Sequence, residues 1–158
     1  MLKTISRNEV KTAGGRFAII ASKYNRRYVD SMVRAARSTL TDGGVEKIKI
    51  VRVPGAFEIP VVAARLARDP TQAPAAIICL GVILRGETTH AQHIGETVSQ
   101  ALAQIQIQSG VPVIHEVLLL ENQEQARVRC LSARHNRGHE AAQTALEMAK
   151  VMKALAPR

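Results

Sequence analysis

Ala75-Ala76-Ile77-Ile78-Cys79-Leu80-Gly81-Val82 runs without a single polar side chain. A strand with one face in water alternates apolar and polar residues. An unbroken run of this length reads instead as a central strand covered on both faces. Upstream, Asp69-Pro70 closes a helix that extends to Leu66, with Pro60 in its first turn, where a missing N–H costs little. Pro54-Gly55 separates that helix from a strand at Ile48 to Val53. Further back, Val29, Met32, Val33, Ala36 and Leu40 form one helical stripe that Asp42-Gly43-Gly44 ends, and Phe17 to Ala21 is a strand-length apolar run.

Downstream, a helix from near Glu87 sets Ala91, Ile94, Val98, Ala101, Leu102 and Ile105 on one side and stops at Gly110. Val111 to Leu120 is a fourth strand, and residues 121–133 read as helix. Ser132 to Gly138 is a polar loop, and Ala142, Ala145, Leu146, Ala149 and Met152 mark a last helix. Strand and helix alternate four times, and one extra helix follows. The pattern predicts one α/β domain over residues 16–158, with parallel strands between two helical layers. Residues 1–15, ending in Gly14-Gly15, read as an irregular arm.

The 158-residue length suits a single domain, and an apolar content of 46% suits a globular one. Phe17, Tyr24, Tyr28 and Phe57 are the only aromatics, so the core is aliphatic and an aromatic beside a polar motif is a candidate for stacking on a ligand. The chain carries 22 Lys and Arg against 13 Asp and Glu, a net charge of +9 that attracts anions: nucleic acid, a membrane surface or phosphorylated metabolites. The basic residues are spread along the chain, and charge alone does not choose among those partners. Cys79 and Cys130 have neither zinc-site nor disulfide spacing and read as buried thiols in a reducing compartment. No apolar signal-peptide core or membrane-length run occurs, so the expectation is a cytoplasmic protein that does not enter the membrane.

Ligands in open parallel sheets sit at the carboxyl ends of the strands. Those ends carry Tyr24-Asn25, Ala56-Phe57-Glu58 and Arg85-Gly86-Glu87-Thr88-Thr89-His90, which are expected to converge. The last segment joins a strand to a helix N-terminus and reads either as a phosphate cradle or as simple threonine capping. His90, in the first helical turn, suits proton transfer near neutral pH or sits idle at the surface. His90-x-x-His93 shares a helix face, but no further ligand completes a metal site. Phe57-Glu58 suits a ring with hydroxyls; the competing reading makes Phe57 core and Glu58 a helix-terminal charge. Arg127, Arg129, Arg134 and Arg137 form either a solvated basic face or a source for a bidentate phosphate clamp.

Taken together, Val53-Pro54-Gly55-Ala56-Phe57-Glu58-Ile59-Pro60, Leu80 to His90, Gly110-Val111-Pro112-Val113-Ile114, Glu121 to Ala126, Asn136-Arg137-Gly138 and Ala145-Leu146-Glu147-Met148 resemble the lumazine synthases, in order and in spacing, over nearly the whole chain. The resemblance implies a flavodoxin-like three-layer αβα sandwich with a four-stranded parallel sheet. It also implies condensation of 5-amino-6-ribitylaminouracil with 3,4-dihydroxy-2-butanone 4-phosphate, with no metal or organic cofactor. By the same resemblance Tyr24 stacks on the pyrimidine. Ala56, Phe57 and Glu58 hold the ribityl chain, and backbone groups of Val82 and Ile83 meet the pyrimidine edge. Glu87 and Thr88 meet the phosphate, Arg129 pairs with it, and His90 shuttles protons.

Two positions depart from the family pattern. Arg137 stands where a lysine is usual, so a planar fork replaces a point ammonium and a neutral base is lost. His115 stands where a phenylalanine commonly covers the ring, which brings a titratable group to the pocket. The family also implies a pentamer with sites between neighbours. Tyr24, Phe57, Glu58 and His90 then come from one chain and His115, Arg129 and Arg137 from the next; some relatives close twelve pentamers into an icosahedral capsid. The rival readings are a ribityl-lumazine or flavin binder without catalysis, and a nucleic-acid-binding module prompted by charge alone.

Overall fold

The computed structural model describes Lys11 and residues 14–157. Strand β1 (Arg16–Ser22) leads to helix α1 (Arg26–Asp42) and strand β2 (Lys47–Val53). A 3-10 turn (Ala56–Glu58) precedes α2 (Ile59–Ala67), followed by β3 (Ala76–Leu84), α3 (His90–Ser109) and β4 (Val113–Leu120). Helix α4 (Gln123–Ala126) widens into a π-helical turn (Arg127–Leu131), and α5 (Arg137–Leu155) ends the fold. The expected arm over residues 1–15 falls mostly outside the described residues, as does residue 158.

Among the described residues the strands form one sheet in the order β2-β1-β3-β4, every pair parallel. This is the expected flavodoxin-like αβα sandwich. Alternation along each strand divides the core in two. Phe17, Ile19, Ala21, Ile78, Leu80 and Val82 face α1 and α5, whereas Ala18, Ile20, Ile77, Cys79 and Ile83 face α2 and α3. Each fully buried Ile or Leu stabilises the fold by roughly 1.5–3 kcal/mol. Gly81 occupies its place in the β3 run for a steric reason. A Cβ there would meet Val117 Cγ1 at 3.1 Å and Ile59 Cδ1 at 3.4 Å.

Two of the boundaries that differ from the sequence expectation bear on the site. Helix α3 starts at His90 rather than Glu87, because Thr88 Oγ1 accepts the His90 N–H (3.4 Å) and the Thr89 carbonyl accepts that of His93 (3.1 Å). Thr89 is the N-cap, and Glu87 and Thr88 precede the helix without joining it. Helix α5 starts inside the expected loop, at Arg137, because Asn136 Oδ1 caps it through the Gly138 N–H at 2.9 Å. Such a cap is worth about 1 kcal/mol.

The order β2-β1-β3-β4 reverses direction between β1 and β3. Connections leaving their carboxyl ends run to opposite faces, opening a crevice where they part. Tyr24-Asn25 follows β1, and residues 85–89 follow β3.

Candidate active site

A cavity of about 830 Å³ occupies that crevice. Tyr24 and Asn25 line it from the β1 end, Gly55 through Glu58 from the β2 end, and Val82, Ile83, Leu84, Gly86, Thr88 and His90 from the β3 end. The three segments expected to converge do so. Tyr24 is 73% exposed and Phe57 58%. Rings left in water at the mouth of a cleft have apolar faces still to be covered, which suits a planar ligand or a second chain. Phe57 is therefore not a core residue.

Backbone chemistry shapes the cleft floor. Asn25 adopts the left-handed conformation (φ 54°), a region asparagine tolerates. There it turns the chain into α1, while its Nδ2 donates to the Val82 carbonyl at 2.7 Å. Glu58 Oε2 accepts the Gly55 N–H at 2.9 Å, which fixes the Pro54-Gly55 turn and leaves Oε1 as an acceptor on the cleft. His90, His93, Ile94 and Thr97 continue the wall along α3. Arg85 anchors the β3 loop from outside: its N–H donates to the Leu120 carbonyl (2.8 Å) and its Nε to Glu121 (3.0 Å). Glu87 belongs to this loop but does not line the cavity.

The remaining expected residues gather elsewhere. His115, Arg129 and Arg137 do not line the cavity within one chain. His115 projects from β4 toward α3; the Val117 N–H donates to its Nδ1 at 3.1 Å, and its ring meets Ser99 Oγ through Nε2 at 2.7 Å. Because Nδ1 accepts, the neutral ring carries its proton on Nε2 and donates to Ser99, whose hydroxyl donates on to the Gly95 carbonyl (2.8 Å). The His115 side chain is exposed at the surface of the chain, and partial desolvation of its ring against α3 pushes its pKa down and favours that neutral form.

On the opposite face of β4, Arg137 grips Glu116 with two parallel bonds, Nε to Oε2 at 3.0 Å and Nη2 to Oε1 at 2.8 Å, and its Nη1 donates to Glu140. Burial raises the Glu116 pKa, and the Arg137 guanidinium offsets only part of the rise. Arg129, on the π-helical turn, is near enough to contribute to the field at Glu116. Among the described residues no group of three or more His, Cys, Asp or Glu is arranged to hold a metal ion, and no helix is long and apolar enough to cross a membrane.

The family model described as 6,7-dimethyl-8-ribityllumazine synthase matches residues 14–153. The enzyme of that name from Xanthomonas campestris pv. campestris (strain B100) is 40% identical over 149 residues, spanning 93% of this chain and 96% of its own. That of Stenotrophomonas maltophilia (strain R551-3) is 42% identical over 142 residues, spanning 89% and 90%. The chain belongs to the 6,7-dimethyl-8-ribityllumazine synthase family.

Asn25 and Ile94 were legible as a strand-end residue and as a residue on the His90 face, whereas Thr97 had not been placed on the cleft. Thr97 lies seven positions after His90, so helical periodicity from His90 would have put it on the same face. Asn25 was visible as an asparagine at a strand end, the place where a left-handed turn is tolerated. Its bond to Val82, across 57 residues, had no sequence signal.

Proposed function

We propose that this chain condenses 5-amino-6-ribitylaminouracil with 3,4-dihydroxy-2-butanone 4-phosphate to 6,7-dimethyl-8-ribityllumazine, releasing phosphate and water, the penultimate step of riboflavin biosynthesis. One observation carries the reading. In a chain of this family, aromatic rings, a carboxylate acceptor and a helix-terminal histidine converge on one crevice from three strand ends.

Tyr24 stacks on the pyrimidine, and Ala56 and Phe57 flank the ribityl chain, whose hydroxyls donate to Glu58 Oε1. Backbone groups of Val82 and Ile83 read the ring edge, with Asn25 holding the Val82 carbonyl in place. The amides of Glu87 and Thr88, at the positive end of α3, receive the phosphate together with Arg129. His90 moves protons as the amine attacks the ketone, water leaves, phosphate is eliminated and the ring closes. A positioned histidine contributes about 10²–10⁴-fold, and holding two substrates in register contributes as much as roughly 7–11 kcal/mol.

In this reading the active form is a ring of five subunits with each site between neighbours. Support comes from the placement of Arg129, His115 and Arg137 away from the crevice of their own chain. A head-to-tail contact brings them to the crevice of the next. His115 then lies over the ring site. Arg137 has three of its five donors held by Glu116 and Glu140, which leaves two N–H groups for substrate. Twelve such rings closing into an icosahedral capsid, in the cytoplasm, complete the proposal, and the two buried free thiols suit a reducing compartment.

The test is to mix purified protein with both substrates and follow lumazine fluorescence together with released phosphate. Product and phosphate rising in step, far above the spontaneous rate, and lost sharply in Arg129→Ala, is the expected result. Tight lumazine binding with no catalysed product would replace the enzyme with a binding protein.

A further inference from the structure

Asn136 is 7% exposed and makes three hydrogen bonds through one side chain. Its Oδ1 accepts the Gly138 N–H, which is ordinary capping of α5. Its Nδ2 donates to the Cys130 carbonyl at 2.6 Å and, more weakly, to Ser31 Oγ at 3.2 Å. Capping does not require these two bonds. Cys130 lies in the last turn of the π-helical segment Arg127–Leu131, where terminal carbonyls lack partners within the helix. A π turn is a rare and widened geometry that recurs at functional sites. The amide of Asn136 therefore holds the turn that carries Arg129 against the start of α5.

Gly138 permits the approach. A Cβ there would meet the backbone Cα and carbonyl carbon of Met32 at 2.7 Å, with the carbonyl oxygen nearer still. Arg129 also has a rival for its charge. The buried Glu116 carboxylate lies within its electrostatic reach, so a relaxed turn lets the guanidinium settle toward Glu116 instead of toward a ligand.

We propose that Asn136 is a positioning residue for Arg129: by holding the Cys130 carbonyl it fixes the π-helical turn and aims the guanidinium at the phosphate of the substrate. This rests on the reading of Arg129 as the phosphate partner.

Asn136→Ser and Asn136→Thr keep a capping oxygen for Gly138 and remove the amide donor without adding charge, and the threonine variant serves if the serine variant does not fold. Inorganic phosphate as competitive inhibitor, and the separate KM values of the two substrates, give the readout. In both variants affinity for phosphate and for the phosphorylated substrate falls roughly five- to tenfold, the scale of one hydrogen bond, while the KM for the ribitylaminouracil is unchanged. In an Arg129→Ala background the Asn136 substitutions have no further effect, because both act through one contact.

Equal losses for both substrates, or a loss that persists without Arg129, would reduce Asn136 to a structural cap and overturn the proposal. If Arg129→Ala weakens phosphate binding and neither Asn136 variant does, the positioning role alone falls. If Arg129→Ala leaves phosphate binding intact, the phosphate assignment falls and takes the positioning role with it.

Discussion

Arg137→Met tests the ion-pair cluster behind β4. The substitution keeps much of the side chain's length and removes the charge that faces Glu116. The Glu116 side chain is 8% exposed and that of Arg137 28%, so the carboxylate is left almost fully buried without its partner. Breaking a buried pair costs about 3–5 kcal/mol. The partial exposure of Arg137 lets water replace some of what is lost, which brings the expected cost to about 2 kcal/mol. For a chain of this size that lowers Tm by about 4–8 °C.

The cost also depends on pH with a definite sign. Burial already raises the Glu116 pKa in the folded protein, and loss of Arg137 raises it further. The folded state then holds a proton that the unfolded state, near its ordinary carboxylate value of about 4.3, has released. Stability is fullest below that unfolded value and is lost as pH rises through the folded pKa. The deficit of Arg137→Met is therefore large at pH 7.5 and shrinks toward pH 5, and adding Glu116→Gln restores most of it. Urea and thermal unfolding at matched protein concentration, across this pH range, measure both effects. A loss below about 0.5 kcal/mol at pH 7.5, or one that neither acid nor Glu116→Gln relieves, would refute the buried-pair reasoning.

The other predictions concern a histidine, a glycine and the proton shuttle. Partial desolvation holds the His115 pKa below its usual value, so its contribution to stability, small for a ring this exposed, is present above about pH 6.5 and lost as pH falls through the folded pKa. Replacement by phenylalanine removes that acid-side component, seen as a flatter stability profile below pH 6.5. Gly138→Ala sets a Cβ against the Met32 backbone and forces α1 and α5 apart, at a cost of about 3 kcal/mol in denaturant unfolding. His90→Ala slows turnover about 100-fold, the lower end for a positioned proton carrier, with far smaller changes in either KM.

The elements legible in the sequence owe this to burial. Strand β3 is covered on both faces, so its run is unbroken, and the Val29 to Leu40 stripe of α1 packs on one face only. The α3 boundary was only partly legible: the threonines pointed to a cap, but Glu87 suits a first helical turn equally well. Of the candidate site, the crevice residues could be read because strand ends in an open parallel sheet must meet at the reversal of strand order. The engagement of Arg137 could not, since Glu116 is 21 positions away and no local pattern links them. The Asn136 bond to Cys130 was hidden differently: Asn136 lay in what read as a polar loop, and the carbonyl it captures is one that the end of the preceding helical segment leaves without a partner.

In the proposed enzyme the crevice of one chain is completed by Arg129 of another, and co-assembly of two defective subunits probes that arrangement. Glu58→Ala combined with Phe57→Ala disables the crevice, and Arg129→Ala disables the contribution to the next subunit. Each protein alone is nearly inactive. Unfolded together in equal amounts and reassembled, they place an intact crevice against an intact Arg129 at about a quarter of the contacts around each ring. Lumazine formation is expected to recover to about a quarter of the wild-type rate after the same treatment. Mixtures that co-assemble yet stay as inactive as either parent, while the wild type regains its activity, would contradict the arrangement.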